Sequence, residues 1–241
     1  ETSKNVSIKK KLNFLENSKI SIFGKKINFI LLWIFETILT PIYDFFKKNG
    51  LSIGIGILAF LFLFKIGEAF LGRMSLIFYK EIGFTKSDIG IFSKGLGWIT
   101  TVLFTLIGGF LTVKIGLVRS IFIAGIFMAF TNLLFSLLFW TGKNYLIFSI
   151  AVILDDLAAA FATVAFVAFI SVLVNRQYTA TQYALLASIG TLGRTTLASS
   201  SGSLVDYLNG DWGLFFIITC VMVIPSLILI FFLKGKIKAL N

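Results

Sequence analysis

Seven ionisable residues stand inside stretches that are otherwise apolar: Lys65, Glu68, Arg73, Lys94, Asp155, Asp156 and Arg194. A charge at mid-bilayer costs about 2.5–3.5 kcal/mol on insertion scales, so such residues face a polar cavity, pair with one another, or do both. Lys65 and Glu68 are three apart, a spacing that lets them pair on one helical face. Arg73 points elsewhere and lies nearer the outer end of its segment, where it either lines the same path or snorkels to the interface. Asp155 and Asp156 are adjacent and cannot face the same way. One is placed to line a cavity, while the other packs toward a neighbouring helix or stays protonated. The chemistry open to this set is ion pairing, capture of an anionic solute by Lys65, Lys94 and Arg194, and exchange of a proton at a carboxyl. Glu68 is the first candidate for that proton, with Asp155 and Asp156 next. The chain has no histidine, the usual side chain for proton relay near neutral pH. Its single cysteine, Cys220, and the missing histidine make a zinc site unexpected, and no cofactor is implied.

At about 100° per residue, Lys94, Gly97, Thr101, Thr105 and Gly108 fall within one narrow arc, as do Tyr183, Ala187, Gly190, Arg194 and Ser201. Together with Lys65 and Glu68 they give three helices a charged, small-residue face, and helices with such faces enclose a polar cavity. Tyr183 and its neighbour Gln182 join the cations as candidate solute contacts. The runs Ala158-Ala159-Ala160 and Ser199-Ser200-Ser201-Gly202 read as close helix packing.

The elements that must hold these residues are membrane spans. Of the 241 residues, 57% are hydrophobic and 14% charged, with a mean hydropathy of +0.95, whereas a soluble domain carries about 25% charged residues. Membrane lipid is therefore the expected surrounding. Six segments have the roughly 20 apolar residues that a spanning helix needs: 51–79, 89–113, 120–140, 145–174, 181–205 and 213–233. The fold class expected is an all-α membrane protein, with six transmembrane helices over 51–233 and a tail at 234–241. The net charge of +11 does not point to nucleic acid, because the basic residues sit between apolar blocks and not on an interleaved aromatic surface. Nine lysines before Leu51 with Lys114, Arg119, Arg176, Lys234, Lys236 and Lys238 make fifteen on one side; Lys80, Lys86 and Lys143 make three on the other. By the positive-inside rule both termini face the cytoplasm.

Residues 1–26 read as a basic cytoplasmic segment, and 27–48 as an amphipathic interfacial helix. In it Glu36, Thr40 and Asp44 form a polar stripe, and Pro41 interrupts the run. The opening Glu1-Thr2-Ser3-Lys4 carries no initiator methionine or signal peptide and resembles an internal cut point. The spans divide into two triplets with a shared pattern. Gly109-x-Leu111 runs to the turn glycine Gly116, and Gly202-x-Leu204 runs to Gly210 with one extra residue. On this topology the two copies face opposite sides, as two inverted three-helix repeats should.

The loop Gly109-x-Leu111-x-x-Lys114-x-Gly116-x-x-Arg119 resembles the loop signature of the major facilitator superfamily in its C-terminal-half copy, with Val113 at the signature's acidic position. That resemblance implies a gating loop built on Gly109, Lys114, Gly116 and Arg119. Further stretches are similar to AmpG-type muropeptide permeases: Pro41-Ile-Tyr-Asp44-Phe45-Phe46, Lys65-Ile-Gly67-Glu68-Ala69-Phe70, Gly90 through Gly97, Ala165 through Ala168, and Ala180-Thr181-Gln182-Tyr183-Ala184-Leu185-Leu186 with Gly193-Arg194. Eukaryotic acetyl-CoA transporters share parts of the pattern. The resemblance implies a proton-driven importer of anhydro-muropeptides in the bacterial inner membrane, with helices seven to twelve present and an N-terminal six-helix half missing. Two other classes fit less well. A membrane-embedded transferase needs a catalytic histidine or an acidic metal cluster near the interface. A non-transporting scaffold needs neither mid-span charges nor an inverted pattern.

The charge skew predicts the sidedness. Single cysteines at positions 86 and 143 are expected to react with a membrane-impermeant thiol reagent in intact cells, and those at 4 and 238 are not. Labelling of 4 or 238 overturns the topology, and labelling of 4 alone indicates that 27–46 spans.

Overall fold

The computed structural model describes residues 35–237; the side chains of residues 35, 36, 93, 94, 96 and 98 lie outside that description. The basic segment 1–26, the first part of the helix expected over 27–48, and Lys238 fall outside the described residues. Every regular element among the described residues is helical, which satisfies the backbone within each segment, as lipid requires. A π-helical turn, Phe35–Leu39, runs into α1 (Thr40–Asn49). It is followed by α2 (Leu51–Leu63) and α3 (Ile66–Glu81). A short α4 (Lys86–Ile89) and a π-helical segment, Gly90–Gly95, lead into α5 (Leu96–Ile115). Then come α6 (Leu117–Thr141), α7 (Tyr145–Leu173), α8 (Thr179–Ser199), α9 (Ser201–Tyr207) and α10 (Trp212–Leu233).

Four stretches are long and apolar enough to cross a membrane: Leu51–Glu81, Leu117–Thr141, Tyr145–Leu173 and Trp212–Leu233. They are the first, third, fourth and sixth of the expected spans. The second and fifth are helical where expected, yet differ in composition. The apolar part of α5 shortens to Ile99–Ile115, and α8 carries serine, threonine and Arg194 along its length. The fifth segment also breaks at Ser200, which separates α8 from α9. Both turn glycines of the shared pattern adopt positive φ, +92° at Gly116 and +79° at Gly210, a conformation that favours glycine.

In the bundle α6 packs along α7 on one side and α10 on the other, α5 lies on α7, and α8 and α10 flank α2 and α3. The buried side chains fall into two clusters. One gathers Phe60, Phe64, Met128, Phe166, Phe169 and Ile230. The other gathers Phe70, Phe78, Phe135, Phe148, Trp212 and Phe216. Between them, at matching positions along the helices, lie Lys65, Thr131, Asn132, Asp155, Asp156, Thr219 and Ser226, so a polar layer separates two apolar ones.

Pro41 occupies the first turn of α1 and does not interrupt it, a position where its missing N–H costs nothing. Of the expected polar stripe, Asp44 turns toward the bundle: its Oδ2 accepts from Asn175 Nδ2 at 3.0 Å and from Gln182 Nε2 at 3.2 Å. At the opposite end of the bundle a capping box joins Thr85 and Asp88, and Lys143 stands 3.6 Å from the Asp88 carboxylate. Hydrogen bonds from Thr85, followed by the charge of Lys143, hold the Asp88 carboxyl below its ordinary value.

Helix α8 crosses α2 closely. A Cβ at Gly193 would fall on the Phe62 carbonyl, and one at Gly190 would lie 2.6 Å from the Phe166 ring. Gly193→Ala must therefore push two backbones apart, and overpacking of this kind costs about 1–3 kcal/mol or more. The expected result is a lower melting temperature in detergent. Gly202→Ala, whose Cβ would make ordinary contact at 3.6 Å with Met74, is expected to melt as wild type. An unchanged melting temperature for Gly193→Ala would contradict the crossing.

Candidate functional site

The first span is discontinuous. Lys65 adopts φ −95° and ψ 17° between α2 and α3, in the sparsely allowed bridge region. The helical ladder resumes at once, with Ala69 N–H donating to the Lys65 carbonyl at 3.0 Å. Phe64 packs with Phe60 and Phe166 below the break, and Ile66 and Phe70 belong to the other cluster above it. The break thus presents Lys65 and Glu68 at the level of the polar layer.

Three helices converge there. Lys65 Nζ lies 3.0 Å from Glu68 Oε2 and donates to Thr163 Oγ1 of α7 at 2.7 Å. Arg194 Nη2 of α8 lies 3.4 Å from Glu68 Oε1. The side chains of Lys65 and Glu68 are 12% and 15% exposed, and that of Arg194 is 49% exposed. Glu68 is therefore held between two cations, with the more exposed one on the open side of the bundle. In a low-dielectric setting an ion pair of this kind is retained only if the geometry is good and further hydrogen bonds are made. The pairing with Thr163 supplies one such bond. Removing Glu68 leaves both cations without their carboxylate.

The aspartates turn away from each other, as adjacency requires. Thr131 Oγ1 of α6 donates to Asp155 Oδ1 at 3.1 Å, and Thr100 Oγ1 of α5 lies 2.8 Å from Asp156 Oδ2. The polar stripe of α5 divides. Gly97 backs onto Asp156 and Gly108 onto Phe161, while the hydroxyls of Thr101 and Thr105 donate to their own helix. The side chain of Lys94 lies outside the described residues. Thr131, Asn132 and Thr163 were not singled out in the sequence, although a polar pair in the middle of the third span was a legible signal.

Tyr183 and Gln182 are placed apart from the ion cluster. Tyr183 packs against the apolar cluster that contains Phe166 and Leu186. Gln182 is 2% exposed. It donates to the Pro41 carbonyl at 2.9 Å and to Asp44, and its Oε1 accepts from Asn175 N–H at 2.6 Å. Both ends of its amide are thereby used to tie α1 to the α7–α8 connection. Lys114 and Arg119 are exposed on either side of Gly116 at the α5–α6 turn, and Lys114 stands over the Phe110 ring at 5.9 Å. Gly109 lies on α5, where a Cβ would meet nothing.

What the arrangement can do chemically is limited and specific. It can bind an anion at Arg194 and Lys65, the two cations that hold Glu68.

No family model matches the chain. Among curated proteins it is 34% identical over 216 residues to "Putative transporter AmpG 4" of Rickettsia conorii, a match covering 89% of this chain and 51% of that one. It is 31% identical over 196 residues to the anhydromuropeptide permease of Escherichia coli K12, covering 81% of this chain and 39% of that one. A third relative, "Putative transporter AmpG 1" of Rickettsia prowazekii, is 31% identical over 197 residues, 80% of this chain and 44% of its own length. These relatives carry the names of transporters or permeases, and not of enzymes. The chain spans about half the length of the curated relatives it matches, and over that extent it is similar to AmpG-type permeases.

Proposed function

We propose that the chain is the C-terminal half of a proton-coupled importer of anhydro-muropeptides for cell-wall recycling, working in the bacterial inner membrane. The observation that carries this reading is the Lys65–Glu68–Arg194 cluster at a break in the first span, in a chain homologous to permeases. Discontinuous helices with binding groups near the bilayer midplane are a recurrent device of secondary transporters, in which two halves rock about a central site. On this reading all six segments span, α5 and α8 included. Those two carry the most polar faces because they border a cavity shared with the other half. Arranged as two inverted three-helix repeats, the six spans leave both termini in the cytoplasm. The positive φ at both Gly116 and Gly210 supports the repeat, and the fifteen-to-three charge skew supports the orientation. The segment 27–48 lies in the inner interface, and the Gly116 turn with Lys114 and Arg119 is part of the inner gate.

In this mechanism the solute's carboxylates bind Lys65, Lys94 and Arg194. They draw cations away from Glu68, which takes a proton to remain neutral in the apolar surroundings. Rocking then exposes the site to the cytoplasm, where solute and proton leave and the ion pairs re-form. Asp155 and Asp156 hold the flanking helices through Thr131 and Thr100 and are the reserve proton sites.

The test has two parts. Residues 1–241 expressed alone are expected to show no muropeptide uptake, with uptake restored by co-expression of a six-helix N-terminal half. Robust uptake by the fragment alone instead indicates a symmetric dimer. In the complete transporter, Glu68→Gln is expected to lower accumulation against a gradient by at least about tenfold, the effect of losing one charge-assisted contact, and to leave counterflow exchange near wild type. Asp155→Asn and Asp156→Asn are the comparison. Wild-type accumulation by Glu68→Gln removes Glu68 from the coupling role and passes it to the aspartates. Wild-type behaviour of all three removes coupling from this half.

A further inference from the structure

One turn beyond the ion cluster, α3 and α8 diverge around a cleft of about 290 Å³. Two guanidinium side chains, Arg73 from α3 and Arg194 from α8, line it together with Thr195 and Ser199. Arg73 is exposed and forms no ion pair or hydrogen bond among the described residues, although it lies within an otherwise apolar stretch. Arg194 spends one guanidinium nitrogen on Glu68, at 3.4 Å, and remains half exposed. The hydroxyls nearby are already committed: Thr195 Oγ1 donates to the Thr191 carbonyl at 2.9 Å and Ser199 Oγ to the Thr196 carbonyl at 2.6 Å. The donors left to a ligand in this cleft are therefore those of the two arginines. The floor is open because a Cβ at Gly72 would meet nothing within 4 Å.

We infer that this cleft is a carboxylate subsite, with Arg73 as a specificity residue for a solute that bears a free carboxylate. Two arginines lining one small cleft offer planar guanidinium donors suited to the two oxygens of a carboxylate, and such charge-assisted pairs are the stronger class of hydrogen bond. A second consequence follows from the shared arginine. Arg194 cannot direct the same N–H groups at Glu68 and at a ligand in the cleft. A ligand that turns the Arg194 guanidinium toward the cleft thus loosens its contact with Glu68 and leaves Lys65 as the nearer cation. The subsite names the solute group that the transport reading requires, and it rests on that reading for the identity of the solute. The geometry of the cleft does not.

Equilibrium binding to the purified complete transporter, with uptake followed in parallel, tests the assignment. The probes are a disaccharide-peptide with free peptide carboxylates and the same molecule with those carboxylates amidated. Wild type is expected to bind the acid about tenfold more tightly than the amide, the size of one charge-assisted hydrogen bond. Arg73→Gln is expected to bring the two to equal affinity by weakening only the acid, raising KM for uptake with little change in kcat. Gly72→Leu keeps both arginines but fills the cleft, without a clash where its Cβ sits, and is expected to do the same. Equal binding of acid and amide by wild type, or discrimination that survives both variants, overturns the proposal. The same measurements in phosphatidylcholine vesicles, with and without phosphatidylglycerol, separate the other source of an anionic oxygen. If Arg73→Gln alters only the response to phosphatidylglycerol, the cleft holds a lipid phosphate and the proposal fails. If wild type discriminates acid from amide but transports neither, the subsite stands and the transport reading falls.

Discussion

A carboxylate in the middle of an apolar bundle must keep its counter-charges within reach, and the Lys65–Glu68–Arg194 cluster is organised by that requirement. The cost of stranding a charge in such surroundings is several kcal/mol, comparable to the total stability of many folded domains. The neighbouring helices are placed accordingly. The first span breaks at Lys65, which brings both charged groups of α3 to the level where α7 offers Thr163 and α8 offers Arg194. Apolar clusters above and below confine the polar groups to a single layer.

Close helix approach makes that layer possible. Arginine and lysine side chains reach only a few ångströms, so the backbones that carry them must be drawn together. Gly193 lies against the Phe62 backbone and Gly190 against the Phe166 ring, one turn or less from Arg194. The same logic appears where α5 meets α7, with Gly97 beside Asp156 and Gly108 beside Phe161. Without a hydrophobic drive between helices in lipid, contact through small residues and interhelical hydrogen bonds holds such a bundle together. Stability and site geometry are thus set by the same glycines.

The polar stripe of α1 illustrates how a surface pattern can be put to another use. Asp44, Asn175 and Gln182 form one buried network that joins α1 to the connection between α7 and α8. This network lies far along α8 from Arg194, at the end of the bundle where basic residues gather. These bonds tie α1 to the start of α8. That places a mechanical link between the segment preceding the first span and the helix that carries the exposed arginine.

Much of this was legible in the amino-acid order. Hydropathy placed the four helices long and apolar enough to cross a membrane within a few residues, because span length is dictated by bilayer thickness. The i, i+3 spacing paired Lys65 with Glu68, and the adjacency of Asp155 and Asp156 required that they diverge. The motifs around Gln182 and Arg194 pointed to the permease family. The tertiary structure alone decided which partners met across helices. Helical periodicity assigns a residue to a face of its own helix but says nothing of what stands opposite. Hence Arg194 joins Glu68, Asp155 and Asp156 are received by threonines on two different helices, and Gln182 is drawn into the α1 network and away from the ion cluster. The break at Lys65 was hidden for the same reason. No proline marks it, and Gly67, two residues further on, lies against Val223 and Asn132.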